Sequence, residues 1–124
     1  PWTDTQRHEL QGLQASYSTR LGAALRHMSS LCTNRLQQPM VLVLTDGVPS
    51  DVDCVDENYL WQDSQFVVAQ LREEGVSVMC LKIGSSQAHI CQKIFGLSQT
   101  VVCEAVNIEL AMRSVFKKIR KSIP

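Results

Sequence analysis

Residues 40–53 read MVLVLTDGVPSDVD, an apolar run that breaks off into a polar turn. The run at 41–44 is continuous, contains β-branched residues and does not alternate with polar ones. Such a pattern is typical of a strand in a parallel sheet, because helices cover both of its faces. The TDG turn at 45–47 and Pro49 follow at once, so the sequence predicts a sharp turn at the carboxyl end of a buried strand.

Asp46 stands in that turn. In open α/β sheets, ligands bind in the crevice beyond the carboxyl ends of the strands. A carboxylate carried there by a buried strand is held rigidly, which suits the binding of a cation. The alternative is that Asp46 only caps the turn, as aspartate commonly does, and the residues alone leave both interpretations open.

The composition is that of a single globular domain. A length of 124 residues fits one domain, and 44% hydrophobic residues exclude a disordered chain. Twelve basic and twelve acidic residues cancel, so no net charge points to nucleic acid or to an anionic membrane. No apolar run reaches the length of a membrane span, and no signal-peptide pattern opens the chain. Because the first residue is Pro rather than Met, we expect a piece of a longer protein.

The cysteines indicate a reducing compartment. Their number is odd and they form no C-x-x-C pair, which fits neither a disulfide framework nor a zinc ribbon. Three of them lie in apolar runs, where thiols behave as small hydrophobic groups. His89 and Cys91 provide only half of a metal site. We therefore predict reduced, structural cysteines and a cytoplasmic protein; the five are Cys32, Cys54, Cys80, Cys91 and Cys103.

One helix is predicted before this strand in the chain and one after it. The first covers 20–36, with Ser18 or Thr19 where the N-cap belongs. Apolar residues at helical spacing form one face of it, namely Leu21, Ala24, Leu25, Met28, Leu31 and Cys32. The second covers 63–74, and Asp63 or Ser64 is predicted to cap its start. Its end is marked by Gly75, and its predicted inward residues are Phe66, Val67 and Leu71.

The rest of the chain repeats this alternation. Strands are predicted at 76–83 and 100–103, a short helix at 87–95, and a terminal helix from Ile108 onward. Strands that alternate with helices predict right-handed crossovers and a doubly wound, Rossmann-like parallel sheet, so the fold class is α/β. We expect the three strands to lie side by side in chain order.

An acidic loop at 50–59 follows the TDG turn, and it contains Asp51, Asp53, Asp56 and Glu57. It is similar to part of a calcium-binding loop, but it lacks the glycine and the terminal glutamate spacing of an EF-hand. The alternative is a solvated loop rich in turn-forming residues.

Two strings of residues carry a family resemblance. STRLGAALRH at 18–27, followed by VLVLTDGVPSDVD at 41–53, resembles the von Willebrand factor A domain. More narrowly, the chain is similar to the carboxyl-terminal A domain of the NorD/CbbO-type activation proteins, which also have a downstream tyrosine and a D-[ST] pair, here Tyr59 and Asp63-Ser64. The resemblance covers nearly the whole chain.

The resemblance implies a metal-ion-dependent adhesion site at the carboxyl ends of the strands. In A domains this site is built from a D-x-S-x-S turn, a threonine from a second loop and an aspartate from a third. Thr19 matches the threonine and Asp46 matches the aspartate. Together they would hold Mg²⁺ (or Mn²⁺) with one position open for a carboxylate of a partner protein. Asp51 and Asp53 are expected further out, on the partner-binding rim.

One part of the family pattern is absent from the printed sequence. No D-x-S-x-S occurs in residues 1–124, and the resemblance would place it on a first strand upstream. We therefore expect 1–124 to be the carboxyl-terminal part of an A domain, with two of the usual metal-site side chains. Mg²⁺ binding is expected only in the complete domain, because two ligands rarely hold this ion.

The function implied by the resemblance is a binding module and not an enzyme. It is expected to work beside a MoxR-type AAA+ ATPase and to activate a target metalloenzyme, nitric oxide reductase or Rubisco, without nucleic acid binding or membrane insertion. The alternative is a metal-dependent α/β enzyme that uses Asp46 with Asp51 and Asp53. The sequence has no Gly-rich phosphate loop and no nucleophile elbow, which disfavours that alternative.

Overall fold

The computed structural model describes residues 1–11, 20–32, 38–50 and 56–122. Its helices and strands follow the predicted alternation. In chain order they are α1 (Asp4–Gln11), α2 (Leu21–Cys32), β1 (Met40–Thr45), α3 (Glu57–Glu73), β2 (Ser77–Ile83), α4 (Ala88–Phe95), β3 (Thr100–Cys103) and α5 (Ile108–Ser122). None of the helices in these ranges combines the length and the hydrophobicity needed to cross a membrane.

The three described strands form one parallel sheet in the order β1-β2-β3. Val43 lies opposite Cys80 in the first pairing, and Leu81 lies opposite Val101 in the second. Helices α3 and α4 pack on one face of this sheet together with α2, whereas α5 packs on the other. The predicted α/β class, the parallel pairing and the strand order are therefore confirmed.

The middle strand β2 is the strand that is buried on both faces. Val78 and Cys80 belong to the core beneath α2, α3 and α4. Met79 and Leu81 point the other way and pack against Ala111 and Val115 of α5. Because strand side chains alternate between faces, two covered faces leave residues 78–82 no more than 3% exposed.

Strand β1 is less buried than its apolar run predicts. Val41 is 6% exposed, but Leu44 is 57% exposed and Leu42 is half-buried. The prediction that helices cover both faces of this strand is wrong for the described part of the chain. The physical reason is that α5 packs over β2 and β3, so β1 lies at the edge of the layer that α5 covers.

Helix α3 begins earlier than predicted. Its N-cap is Asp56, whose side chain accepts a hydrogen bond from the backbone N–H of Tyr59 at 3.4 Å. Asp63 and Ser64, predicted as caps, therefore lie inside the helix. The buried Ser64 hydroxyl donates to the carbonyl oxygen of Leu60 at 2.9 Å, which satisfies it within the helix.

The carboxyl end of α3 lies where the sequence predicts it. Gly75 has φ of +87°, and Val76 N–H donates to the carbonyl of Leu71 at 2.9 Å, as in a Schellman motif. The predicted end of the helix is thus confirmed.

The inward face of α3 differs from the prediction at one position. Phe66 is 61% exposed whereas Val67 is 2% exposed, so the prediction that Phe66 faces inward is wrong.

Candidate functional site

The turn after β1 is held by a threonine hydroxyl. Thr45 Oγ1 accepts a hydrogen bond from the N–H of Gly47 at 3.2 Å and donates to the carbonyl of the same residue at 3.0 Å. Asp46 lies between them and is exposed. These bonds make Thr45 the side chain that stabilises the turn, and they leave Asp46 displayed at the carboxyl end of the sheet.

A buried ammonium group lies on the inner side of this turn. Lys82, in the last part of β2, has no exposed surface, and its Nζ donates to the carbonyl of Asp46 at 2.9 Å. It also donates to the carbonyls of Ile83 at 2.8 Å and Gly84 at 3.1 Å. Burying a charge is costly unless it is hydrogen-bonded, and these three acceptors satisfy all three ammonium protons. Lys82 therefore ties the carboxyl ends of β1 and β2 together.

Sequence reasoning missed Lys82. It lies within the predicted strand at 76–83, whose other residues are mostly apolar. A signal was present, because a single lysine near the end of the apolar segment SVMCLKI has few ways to be satisfied in a sheet covered on both faces. The acceptors, however, are backbone carbonyls of the turn after β1, of the last residue of β2 and of the loop after it, and no sequence pattern indicates this combination.

The start of α2 meets the chain that follows β1. A pocket of about 140 Å³ is lined by the first residues of α2, by the segment after the TDG turn and by α3. Its lining includes Arg20, Gly22, Pro49 and Asp63. The structure therefore brings the residue after Thr19 to the same region as the loop after Asp46, at the carboxyl end of β1.

The predicted metal-site residues are only partly within the described chain. Asp46 is placed at the carboxyl end of β1, whereas Thr19, Asp51 and Asp53 lie outside the described residues. Within 1–11, 20–32, 38–50 and 56–122, no three His, Cys, Asp or Glu side chains come together as metal ligands. The Mg²⁺ site and the rim thus stay predictions.

One wall of the pocket is built by residues of the string at 18–27 and by Asp63 of the D-[ST] pair. The Arg26 guanidinium forms two hydrogen bonds with the Asp63 carboxylate, at 3.0 and 2.5 Å, and this pairing raises the pKa of Arg26. A Cβ on Gly22 would lie 2.2 Å from Asp63 Oδ2. Gly22 is therefore the residue that lets the Asp63 carboxylate approach α2, and the ion pair joins α2 to α3.

Replacing Gly22 tests this packing. Ala is favoured over Gly by about 1 kcal/mol inside a helix. In Gly22→Ala the new methyl group displaces the Asp63 carboxylate, and the loss of its part-exposed pairing with Arg26 offsets the gain in helix propensity, so we expect the free energy of unfolding to change by no more than about 0.5 kcal/mol. In an Asp63→Ala background the obstruction is gone, and Gly22→Ala should instead stabilise by about 1 kcal/mol. Urea denaturation of the four proteins measures both values, and equal effects in both backgrounds would contradict the explanation.

No family model matches the chain. The chain is 26% identical over 117 residues to protein NorD of Brucella abortus, covering 93% of the chain and 18% of that protein. It is 31% identical over 97 residues to protein NorD of Stutzerimonas stutzeri, covering 77% and 16%. An uncharacterised protein of Pseudomonas aeruginosa is 26% identical over 117 residues, covering 93% and 19%. The chain thus spans less than a fifth of the length of these relatives, and the similarities support a NorD-type family.

Proposed function

We propose that this chain is a von Willebrand factor A-type binding module of a NorD-like accessory protein. The proposal is supported by similarity to proteins named NorD over as much as 93% of the chain, and by the parallel α/β fold. The partners follow from the sequence resemblance. They are a MoxR-type AAA+ ATPase and a target metalloenzyme of the nitric oxide reductase or Rubisco type, met in the cytoplasm.

The observation that carries this proposal is the display of Asp46. Its carboxylate stands on an exposed turn at the carboxyl end of β1, beside the region where α2 begins. A hydroxyl from Thr19 and further oxygen ligands from a D-x-S-x-S in a longer protein would complete an octahedral set for Mg²⁺ or Mn²⁺. A carboxylate from the partner would take the open position. Asp51 and Asp53 would contact the partner from the rim.

Lys82 limits what the described residues can do alone. Its ammonium lies within 2.9 Å of the Asp46 carbonyl oxygen, and a positive charge there opposes a second cation nearby. The backbone oxygen of Asp46 already accepts from this ammonium. Asp46 and Thr19 alone are too few ligands to hold Mg²⁺ beside the Lys82 charge. We therefore propose that binding requires additional anionic ligands from a longer protein.

A docking role suits the shape of this region better than the enzymatic alternative. An enzyme that used Asp46 with Asp51 and Asp53 would need a cleft that excludes water around its substrate. Asp46 is exposed, and the neighbouring pocket holds only about 140 Å³, below the usual size of a small-molecule site. A metal bridge between two proteins needs no such cleft and breaks no bond.

Calorimetric titration with Mg²⁺ and Mn²⁺ tests the proposal on two proteins, the 124-residue chain and a longer one that includes a D-x-S-x-S. We expect weak or absent binding in the first and clear binding in the second. Asp46→Ala should abolish the binding, and Thr19→Ala should weaken it. Asp51→Ala and Asp53→Ala should leave metal affinity intact but weaken docking to the ATPase or target.

Asp4→Ala serves as the matched control, because Asp4 is an exposed carboxylate on α1, a helix with no buried residues. It should change neither metal affinity nor docking. If the longer protein binds metal equally well without Asp46, the site is misassigned and the acidic loop at 51–57 becomes the better candidate. Substrate turnover that depends on Asp46 would favour the enzyme instead.

A further inference from the structure

Two buried cysteines lie beneath the TDG turn. Cys80 of β2 is 0% exposed and Cys91 of α4 is 1% exposed, and both belong to the same core cluster. Thr100, which lies opposite Cys80 in the sheet, donates its hydroxyl to the carbonyl oxygen of Cys91 at 3.5 Å. The Cys91 thiol also donates to the carbonyl oxygen of Gly47, with Sγ 3.8 Å from that oxygen. The pair therefore connects the middle strand, a helix and the turn that carries Asp46.

The surroundings make the two sulfurs unequal. The hydrogen bond from Cys80 lowers the pKa of Cys91, and the Lys82 charge lowers it further against the opposing effect of burial. The same hydrogen bond and burial raise the pKa of Cys80. Cys91 is therefore the sulfur that loses its proton first, and Cys80 is its neighbouring thiol. A thiolate with a second thiol in contact is the usual arrangement of a reversible thiol switch.

We propose that Cys80 and Cys91 form a peroxide-sensitive pair that closes reversibly to an intramolecular disulfide. Two neighbouring buried thiols carry this proposal, and it goes beyond the proposed function without depending on it. The oxidant is a small hydroperoxide such as hydrogen peroxide, because both sulfurs are buried and a bulky disulfide could not reach them. Gly47 is half-buried and Asp46 exposed, so the Cys91 sulfur lies one layer beneath the surface.

The reaction has two steps. The Cys91 thiolate attacks one oxygen of hydrogen peroxide, an S–O bond forms, the O–O bond breaks, and hydroxide leaves and takes up the proton that Cys91 released. The Cys80 sulfur then attacks the sulfur of this sulfenic acid, an S–S bond forms, and water leaves with the Cys80 proton. Two thiols are oxidised by two electrons in total, and one peroxide is reduced to two waters.

The disulfide would also change the turn above it. A sulfur in a disulfide has no proton, so Cys91 could no longer donate to the carbonyl of Gly47. Lys82 and Thr45 would still hold the turn. Oxidation should therefore loosen the segment that carries Asp46 without unfolding the domain, which can be measured as faster amide hydrogen exchange at 45–48 with α5 unchanged.

Mass spectrometry tests the pair directly on the whole chain. The reduced protein is treated with hydrogen peroxide, the remaining thiols are alkylated in denaturant, and the peptides are mapped. We expect a product lighter by two hydrogen atoms, joined through Cys80 and Cys91 and reversed by dithiothreitol. Cys32, buried in α2, should be oxidised at least about tenfold more slowly than Cys91 in the folded protein.

Variants separate the two roles. Cys80→Ser keeps a hydroxyl donor but cannot resolve the sulfenic acid, so Cys91 should accumulate as the sulfenic acid, which dimedone traps once the peroxide is removed and the protein is unfolded in denaturant. Cys91→Ser should abolish the reaction, whereas Cys32→Ser should leave it unchanged. A disulfide through other cysteines, or equal oxidation rates for Cys91 and Cys32 in the folded wild-type protein, would overturn the proposal. These readouts require no metal and no partner, so a failure here is distinct from a failure of the docking role.

Discussion

Lys82→Met should lower the free energy of unfolding by about 3–5 kcal/mol. Methionine has a similar length but no proton to donate, so the carbonyls of Asp46, Ile83 and Gly84 each lose a charged donor. Each hydrogen bond to a charged group contributes about 1.5–3 kcal/mol, and part of that loss is recovered because an apolar side chain is easier to bury. Urea denaturation followed by circular dichroism measures the change.

Lys93→Met is the matched control for that experiment. Lys93 lies on the exposed side of α4, and its replacement should change stability by no more than about 0.5 kcal/mol. A Lys82→Met protein within about 1 kcal/mol of the wild type would show that the three carbonyls find other partners. The ammonium would then not be the tie between the ends of β1 and β2.

Phe95→Ala should cost about 3–5 kcal/mol as well. Phe95 closes α4, has no exposed surface and is the largest fully buried apolar side chain of the described chain. Its removal leaves a cavity in the core cluster that joins α4 to Val67 and Leu71 of α3, where close packing limits relaxation.

Phe66→Ala makes the matched comparison, since the same side chain is removed from an exposed position. Phe66 is 61% exposed on α3, and we expect its loss to cost about 0.5 kcal/mol or less. Thermal denaturation of both variants distinguishes the two positions. Similar losses for Phe95→Ala and Phe66→Ala would mean that Phe66 packs inward after all, as its helical spacing predicts.

Side-chain cations hold backbone carbonyls at both ends of β2. At the amino end, the Arg72 guanidinium donates to the carbonyl of Val78 at 3.0 Å and to that of Phe95, and burial lowers the pKa of Arg72. At the carboxyl end, Lys82 does the same for the loops after β1 and β2. Backbone carbonyls near both ends of the strand thereby gain charged donors, and the Lys82 bonds at the carboxyl end give the turn that displays Asp46 a fixed support.

The order of elements followed from local patterns. Apolar runs at 41–44, 76–83 and 100–103 alternate with helical periodicity, and the preference for right-handed crossovers then leaves few topologies for three parallel strands. The end of α3 followed from Gly75, because a positive φ is a local property of the backbone. The position of Asp46 at a strand end was also predictable, because the TDG turn directly follows the apolar run at 41–44. Its role as a metal ligand stays a prediction.

Burial and partners were decided by residues far away in the chain. Leu44 and Leu81 are both leucines in apolar strands, yet one is 57% and the other 0% exposed, because α5 packs over β2 and not over the end of β1. Lys82 is satisfied by a carbonyl 36 positions earlier, and Arg26 pairs with a carboxylate 37 positions later. Local sequence determines backbone conformation through sterics and periodicity, whereas such pairings arise only when separate segments are packed together, and that packing decided what surrounds the turn at Asp46.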